Sequence, residues 1–284
     1  MSLRRCTAQC MKPRRDFLFA LLALLSSAVA QSGFDHSHAA WDALLRKHVK
    51  LIDDGRGRPI ASQVDYKAFA KDRAALQAYL STLSAVASAQ YAGWNKQQQY
   101  AFLANAYNAF TVEKILTRYP NLKSIRDFGS VIGNPWKDRF FTLLGKPQHL
   151  DGIEHDMLRA PGAFDDPRVH VAVNCASVGC PMLSNRAFTP DQLDAQLEEL
   201  FIRFMSDRSR NRYNAQTKTV ELSRIFDWYG KDFEKGHKGF SSINDVIAKY
   251  AEQLADAPED RAQLRSSKVP IRFLEYDWSL NDVR

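Results

Sequence analysis

Cysteine is scarce in this 284-residue chain, with four residues at Cys6, Cys10, Cys175 and Cys180. The first two fall in what reads as a leader, so the folded part keeps one pair and no second pair to complete a four-thiolate zinc site. The His-x-His at His36 and His38 reads as a solvated segment beside the mature terminus, and neither a metal nor a cofactor is expected. Long apolar runs are missing as well. FLFALLALLSSAVA, residues 17–30, is free of charge for 14 residues, short of the ~20 that a membrane-spanning helix needs. There is no internal repeat, no long low-complexity stretch, and no linker longer than the loop DDGRGRP at 53–59. One domain, or one domain with a helical N-terminal extension, is the natural count. A strong excess of charge is also lacking. The formal charge of +7 includes the basic residues of the leader, and the remainder is too nearly balanced to suggest a nucleic-acid partner.

The leader itself has three parts. Arg14 and Arg15 precede the apolar run, which closes on Ala28-Val29-Ala30, the small-x-small pattern of a signal peptidase site. Residues 1–30 are therefore expected to be removed, with Gln31 as the new N-terminus. RRDFL resembles a twin-arginine export signal. No cysteine sits at the cleavage site to take a lipid, so a periplasmic or secreted protein without a stable membrane anchor is expected.

Helical periodicity dominates residues 31–90. WDALLRKHVKLI at 41–52 and DRAALQAYLSTLSAV at 72–86 space apolar residues by three and four. The segment 98–120 is apolar almost all round, which predicts a central buried helix ended by Pro120. Further on, RFFTLLGKPQHL at 139–150 reads as a hairpin turning at Gly145 and Lys146, and RVHVAVN at 168–174 as an alternating strand. LDGIEHDMLRA reads as a helix capped by Asp151 with Glu154. Thr189-Pro190-Asp191-Gln192 opens an amphipathic helix to about Ser206. KTVELS at 218–223 and VPIRFLEYDW at 269–278 add strands, separated by helices near 223–235 and 242–254. The fold class is α+β, a mostly helical single domain with a small antiparallel sheet.

AFLANAYNAFTVEKIL, SIRD, WKDRFF, LDGIEHDMLR, DPRVHVAVNCASVGCPML, LSRIFDWYGKDF and FLEYDWSLN resemble, in order, the blocks of the domain of unknown function 547 family (DUF547). The likeness runs from about residue 94 to 282, with SQVDYKAF at 62–69 as its upstream piece, and makes 91–284 the family-like domain. What the resemblance implies is thiol or glutathione chemistry, because some eukaryotic relatives carry a glutaredoxin-like domain. By analogy it also implies a distant kinship with papain- or transglutaminase-type cysteine enzymes.

The residues themselves leave several roles open. On an alternating strand Cys175 would lie with Val171 and Val173 on an apolar face, away from His170, and would be a small core side chain. Cys180, between Gly179 and Pro181, would open a helical turn whose free N–H groups favour a thiolate, making it the candidate nucleophile. A Cys175–Cys180 disulfide is the structural alternative, worth about 2 kcal/mol by loop entropy. His155 is the first candidate base and His170 its rival, and Glu154 either orients a histidine or completes the Asp151 cap. Asn105 and Asn108 put two amides on a buried helix face, to brace a loop or to touch substrate. Trp136 and Lys137 offer an aromatic wall and a charge, while FDWY at 226–229 and EYDWSLN read as packing. Two functions follow. One is an exported cysteine-dependent enzyme, either a hydrolase or acyl transferase of peptide-like substrates or a thiol-exchange protein for a glutathione-like small molecule. The other is a non-catalytic periplasmic binding or scaffold domain with a permanent disulfide.

Overall fold

The helix Lys96–Leu116 is the axis on which the rest is built. Alanine and long side chains fill its interior and no glycine or proline interrupts it, which favours helix at every position. Its start is a full capping box. Asn95 Oδ1 accepts from Gln98 N–H at 2.9 Å, and Gln98 Oε1 accepts from Asn95 N–H at 3.0 Å. Nearly every side chain from Tyr100 to Leu116 is buried, so tertiary packing on all sides holds this helix. The computed structural model describes residues 33–129 and 133–283; the leader read over residues 1–30 lies outside the described residues.

Around this axis the structure is helix-rich with short strands, the α+β class expected. The helix Arg73–Ser84 packs against the axis, and Arg73 is paired with Glu113 at 2.7 Å. The predicted helix over 41–52 is shorter than expected. It spans Ala39–His48, and the chain then becomes β1 (Val49–Asp53), antiparallel to β2 (Pro59–Val64). The DDGRGRP segment is the turn of this hairpin, with Gly55 and Gly57 at φ +79° and +75°, a backbone that costs glycine little. His38 is buried rather than solvated, with Nδ1 2.7 Å from the Tyr79 hydroxyl.

The second hairpin pairs β3 (Phe141–Leu143) with β4 (Lys146–Gln148). Its turn is Leu144-Gly145, one residue earlier than the sequence suggests, with both residues at positive φ, as a twist-matched two-residue turn requires. The third sheet orders β5 (Arg212–Asn214), β6 (Thr219–Leu222) and β7 (Ile271–Phe273). The β6–β7 ladder is parallel, the others antiparallel. No helix among the described residues is long and apolar enough to cross a membrane.

Two elements near the thiols differ from expectation. RVHVAVN is not a strand, because Val169–Ala172 forms one helical turn and the chain extends only at Val173. Asp166 starts the turn by accepting from Arg168 N–H at 2.9 Å, and all four residues of the turn are buried. A short run buried on every side carries no period to read. LDGIEHDML is a π-helix over Gly152–Leu158, and Asp151 makes no capping bond. Thr189 likewise makes none, although Pro190 does begin a 3-10 turn that leads into the helix Leu193–Ser206.

Asn105 and Asn108 are almost fully buried, at 0% and 3% exposure, and each clips a loop to the axis. Asn105 exchanges two bonds with the Phe188 backbone. Asn108 donates to Ala172 O and accepts from Asn174 N–H, both at 2.8 Å. An unpartnered buried amide group costs about 1–3 kcal/mol. Replacing Asn108 by Leu is expected to lower the unfolding free energy by about 2–4 kcal/mol, read as a reduced urea midpoint. An unchanged midpoint would show that these bonds contribute nothing to the fold.

Candidate functional site

The helical turn Val169–Ala172 delivers the chain to an irregular loop, Val173–Pro181, that carries both thiols. Its shape is fixed by the Asn174 side chain. Oδ1 accepts from Ala176 N–H at 2.9 Å and Nδ2 donates to Pro181 O at 2.7 Å, so one amide ties the two ends of the loop. Ala176, immediately after Cys175, sits at φ +61°, a conformation that a residue with a Cβ holds only when its surroundings enforce it. The C-terminal segment supplies that enforcement from the other side. Val178 N–H donates to Ser279 O and Gly179 N–H to Asp277 O, each at 2.8 Å, and Asn281 N–H reaches Ala176 O at 3.0 Å. At Gly179 the approach is so close that a Cβ would lie 2.9 Å from Asp277 N.

Both cysteines are free thiols, and their environments differ. Cys175 is partly exposed, not buried among valines; Cys180 is buried, and no helix opens at it. Cys175 N–H donates to Cys180 Sγ at 3.2 Å, and Cys175 Sγ lies 3.2 Å from the Tyr276 hydroxyl. The Cys175 thiol is held well below the usual thiol range, first by the hydrogen bond from Cys180 and then by Tyr276, which together outweigh burial. The same bond, with burial, pushes Cys180 well above that range. Both directions favour the charge on Cys175 and the proton on Cys180, whereas Gly179 and Pro181 suggested Cys180 as the nucleophile.

Both histidines line one cavity of about 340 Å³ together with the two thiols, Glu154 and Trp136. His170 is buried, and its Nε2 lies 2.8 Å from Asp232 Oδ2. A carboxylate only accepts, so Nε2 carries the hydrogen and Nδ1 the lone pair. Burial lowers the His170 pKa to about 4, against the opposing pull of Asp232, so the ring is neutral at pH 7. Asp232 is itself held far below the ordinary carboxylate range. Burial would raise it, but hydrogen bonds from His170, Arg159 and Lys235 prevail. Tyr229 stacks on the His170 ring at 4.2 Å and takes the Arg159 guanidinium on its face at 4.5 Å.

The π-helix brings Glu154 and His155 to the same cavity, in keeping with the frequent use of π-turns at functional sites. Glu154 is pushed up by burial despite the nearby His155 and Arg159 charges, and it bonds the Tyr107 hydroxyl. His155 Nδ1 meets Arg159, and its Nε2 lies 3.5 Å from Asp151 Oδ1. Among the described residues no group of three or more His, Cys, Asp or Glu is placed to hold a metal ion.

Of the remaining expected contacts, Trp136 lines the cavity, whereas Lys137 is exposed and lies off its wall. Asn105 and Asn108 are not on the wall either, and their bonds are those of braces. The sequence reading missed Asp232, Tyr276, Trp228 and Trp278. FDWY at 226–229 and EYDWSLN read as packing, and the structure places Trp228, Tyr229, Tyr276 and Trp278 in the cavity wall. Their density of tryptophan and tyrosine was the available signal.

The thiolate is stabilised here by neutral donors, not by an imidazolium. Alkylation by iodoacetamide is expected to be faster at Cys175 than at Cys180, and to rise with pH to a plateau reached below the usual thiol value of about 8.5. Replacing Tyr276 by Phe or Cys180 by Ala should move that profile upward by about one pH unit or more, the worth of one hydrogen bond to a charged group. A profile that stays in place in both variants would refute the assignment.

No curated protein and no solved structure is matched by the chain. The stretch that a family model does match includes both thiols, both cavity histidines and Glu154, while Asp232 and Tyr276 lie beyond it. Residues 91–205 match the model of a family described as a protein of unknown function, DUF547.

Proposed function

We propose that this chain is an exported cysteine-dependent acyl-transfer enzyme that cleaves or transfers peptide-like amides and esters through a thioester on Cys175. The carrying observation is that Cys175, lowered by Cys180 and Tyr276, the neutral His170 ring held by Asp232, and the buried Glu154 carboxyl share one cavity. Cys175 is the nucleophile, and His170 takes the place first expected of His155, whose Nδ1 is taken by Arg159.

The proton inventory closes. The Cys175 thiolate attacks the carbonyl carbon, and the tetrahedral intermediate collapses by expelling the amine, which takes the proton of the Glu154 carboxylic acid. Water then attacks the thioester and gives its proton to His170 Nδ1, releasing the carboxylic acid and restoring the thiolate. The proton on His170 passes to the Glu154 carboxylate, and the acid product ionises into solvent. Raising Glu154 by burial while keeping His170 neutral separates the acid from the base in one small site.

Turnover of p-nitrophenyl acetate should vanish in Cys175→Ala. In His170→Ala it should fall by about 100-fold or more, with an acetyl adduct accumulating on Cys175 in the intact mass. Undiminished turnover in Cys175→Ala would overturn the reading. Thiol exchange with a glutathione-like molecule is the second reading, favoured by the Cys175–Cys180 contact. It predicts a glutathione adduct on Cys175 that Cys180 resolves, in place of ester turnover. Thiols that resist alkylation until the chain unfolds would instead favour a non-catalytic domain.

Export rests on the leader sequence and the Ala28-Val29-Ala30 site. Protein recovered from outside the cytoplasm of the native host should begin at Gln31; a chain retaining Phe17 would exclude cleavage there.

A further inference from the structure

The wall of the cavity opposite in character to its polar floor is aromatic. Trp136, Trp228, Tyr276 and Trp278 all line it, and they are inclined to one another. Tyr276 and Trp278 have ring centroids 4.5 Å apart at 49°, Trp228 and Tyr276 are 5.0 Å apart at 48°, and Trp136 and Trp278 are 5.9 Å apart at 64°. Trp228 and Trp278 are nearer to parallel, 5.8 Å apart at 27°, and Tyr276 and Trp136 close a corner around them. Trp228 is 44% exposed, large for a tryptophan packed against three other rings.

The carboxyl groups that line the cavity are Asp151 and Glu154, and among the described residues no lysine or arginine lines it. Two nearby guanidinium groups are bonded elsewhere, and a third rests on a ring of the corner itself. Arg159 is bonded to Asp232 and His155, Arg210 to Asp207 and Val178 O, and Arg126 lies against Trp278 at 5.1 Å from its centroid. Asp151 lines the cavity as well, with its Oδ1 3.5 Å from His155 Nε2.

We propose that this aromatic corner, with Asp151, is a recognition site for an alkylammonium group, so that the substrate carries a lysine-like cationic side chain next to the bond that Cys175 attacks. The substrate consequence rests on the acyl-transfer reading; the binding consequence does not. The negative faces of indole and phenol rings attract a cation most when it is withdrawn from water, and tryptophan does so best. A carboxylate beside the rings completes the complement. An anionic ligand such as glutathione would meet Asp151 and Glu154 on the lining and no lysine or arginine there.

The test is titration calorimetry on full-length Cys175→Ala protein, so that binding is read without turnover. The probes are Nα-acetyl-lysine methylamide, its uncharged isostere Nα-acetyl-norleucine methylamide, glutathione and N-acetylglucosamine. The lysine probe should bind about tenfold or more tighter than the norleucine probe. That ratio should fall toward one in Trp228→Leu and in Asp151→Asn, and should be largely restored in Trp228→Phe. Trp228 is partly exposed, so its replacement spares the core, and the ratio in the parent protein is a test by itself. Equal affinity for the two amides, tighter binding of glutathione or N-acetylglucosamine, or no binding of any probe would overturn the proposal. Loss of ester turnover in the wild-type protein with the lysine preference intact would instead count against the acyl-transfer reading alone.

Discussion

One side-chain amide carries the geometry of the thiol loop. Val173–Pro181 has no helix or strand to satisfy its backbone, and an unmet buried N–H or C=O is costly. Asn174 meets both ends of the loop through its own side chain, while its N–H is received by Asn108 on the central helix. Asn281 reaches Asn174 Oδ1 at 3.4 Å and accepts from the Tyr66 hydroxyl at 2.9 Å. The result is a bonded path from the central helix through the loop to the C-terminal segment and back into the N-terminal third. Ala176 can hold its left-handed conformation because this path leaves the loop no alternative arrangement.

Electrostatics then follows from position. Arg159 is the pivot, since it bonds Asp232, meets His155 and lies over the Tyr229 ring that stacks on His170. With Asp232 firmly ionised, the His170 proton is fixed on Nε2 and the ring is neutral. The sulfur charge is left to Cys180 and Tyr276. The donors that lower the Cys175 thiol are uncharged, so no ion pair fixes it in place.

Much of this was readable from residue types, and the failures have physical causes. The central helix, the helix 193–206 and the strand 219–222 carry their period or their cap in the sequence. The amides at Asn105 and Asn108 were recognisable because a buried amide must have partners. The helical turn at 169–172 was not readable, because four consecutive buried residues look alike as strand or helix. That error separated His170 from Cys175, which the structure puts on one cavity wall. The helix that Gly179 and Pro181 suggested does not form, and the contact from residue 276 to Cys175 is one that no local pattern reveals. Asp232 was hidden for the same reason, 62 residues from its histidine.

Tyr276 lies 101 residues downstream of the sulfur to which it is bonded. During synthesis the thiol loop leaves the ribosome long before that hydroxyl exists, and the segment 277–281 that braces the loop comes later still. A nascent chain that has not reached residue 276 therefore carries Cys175 without one of the donors that ionise it. The hydrogen-bonded setting of this sulfur is therefore complete only once the C-terminal segment has docked.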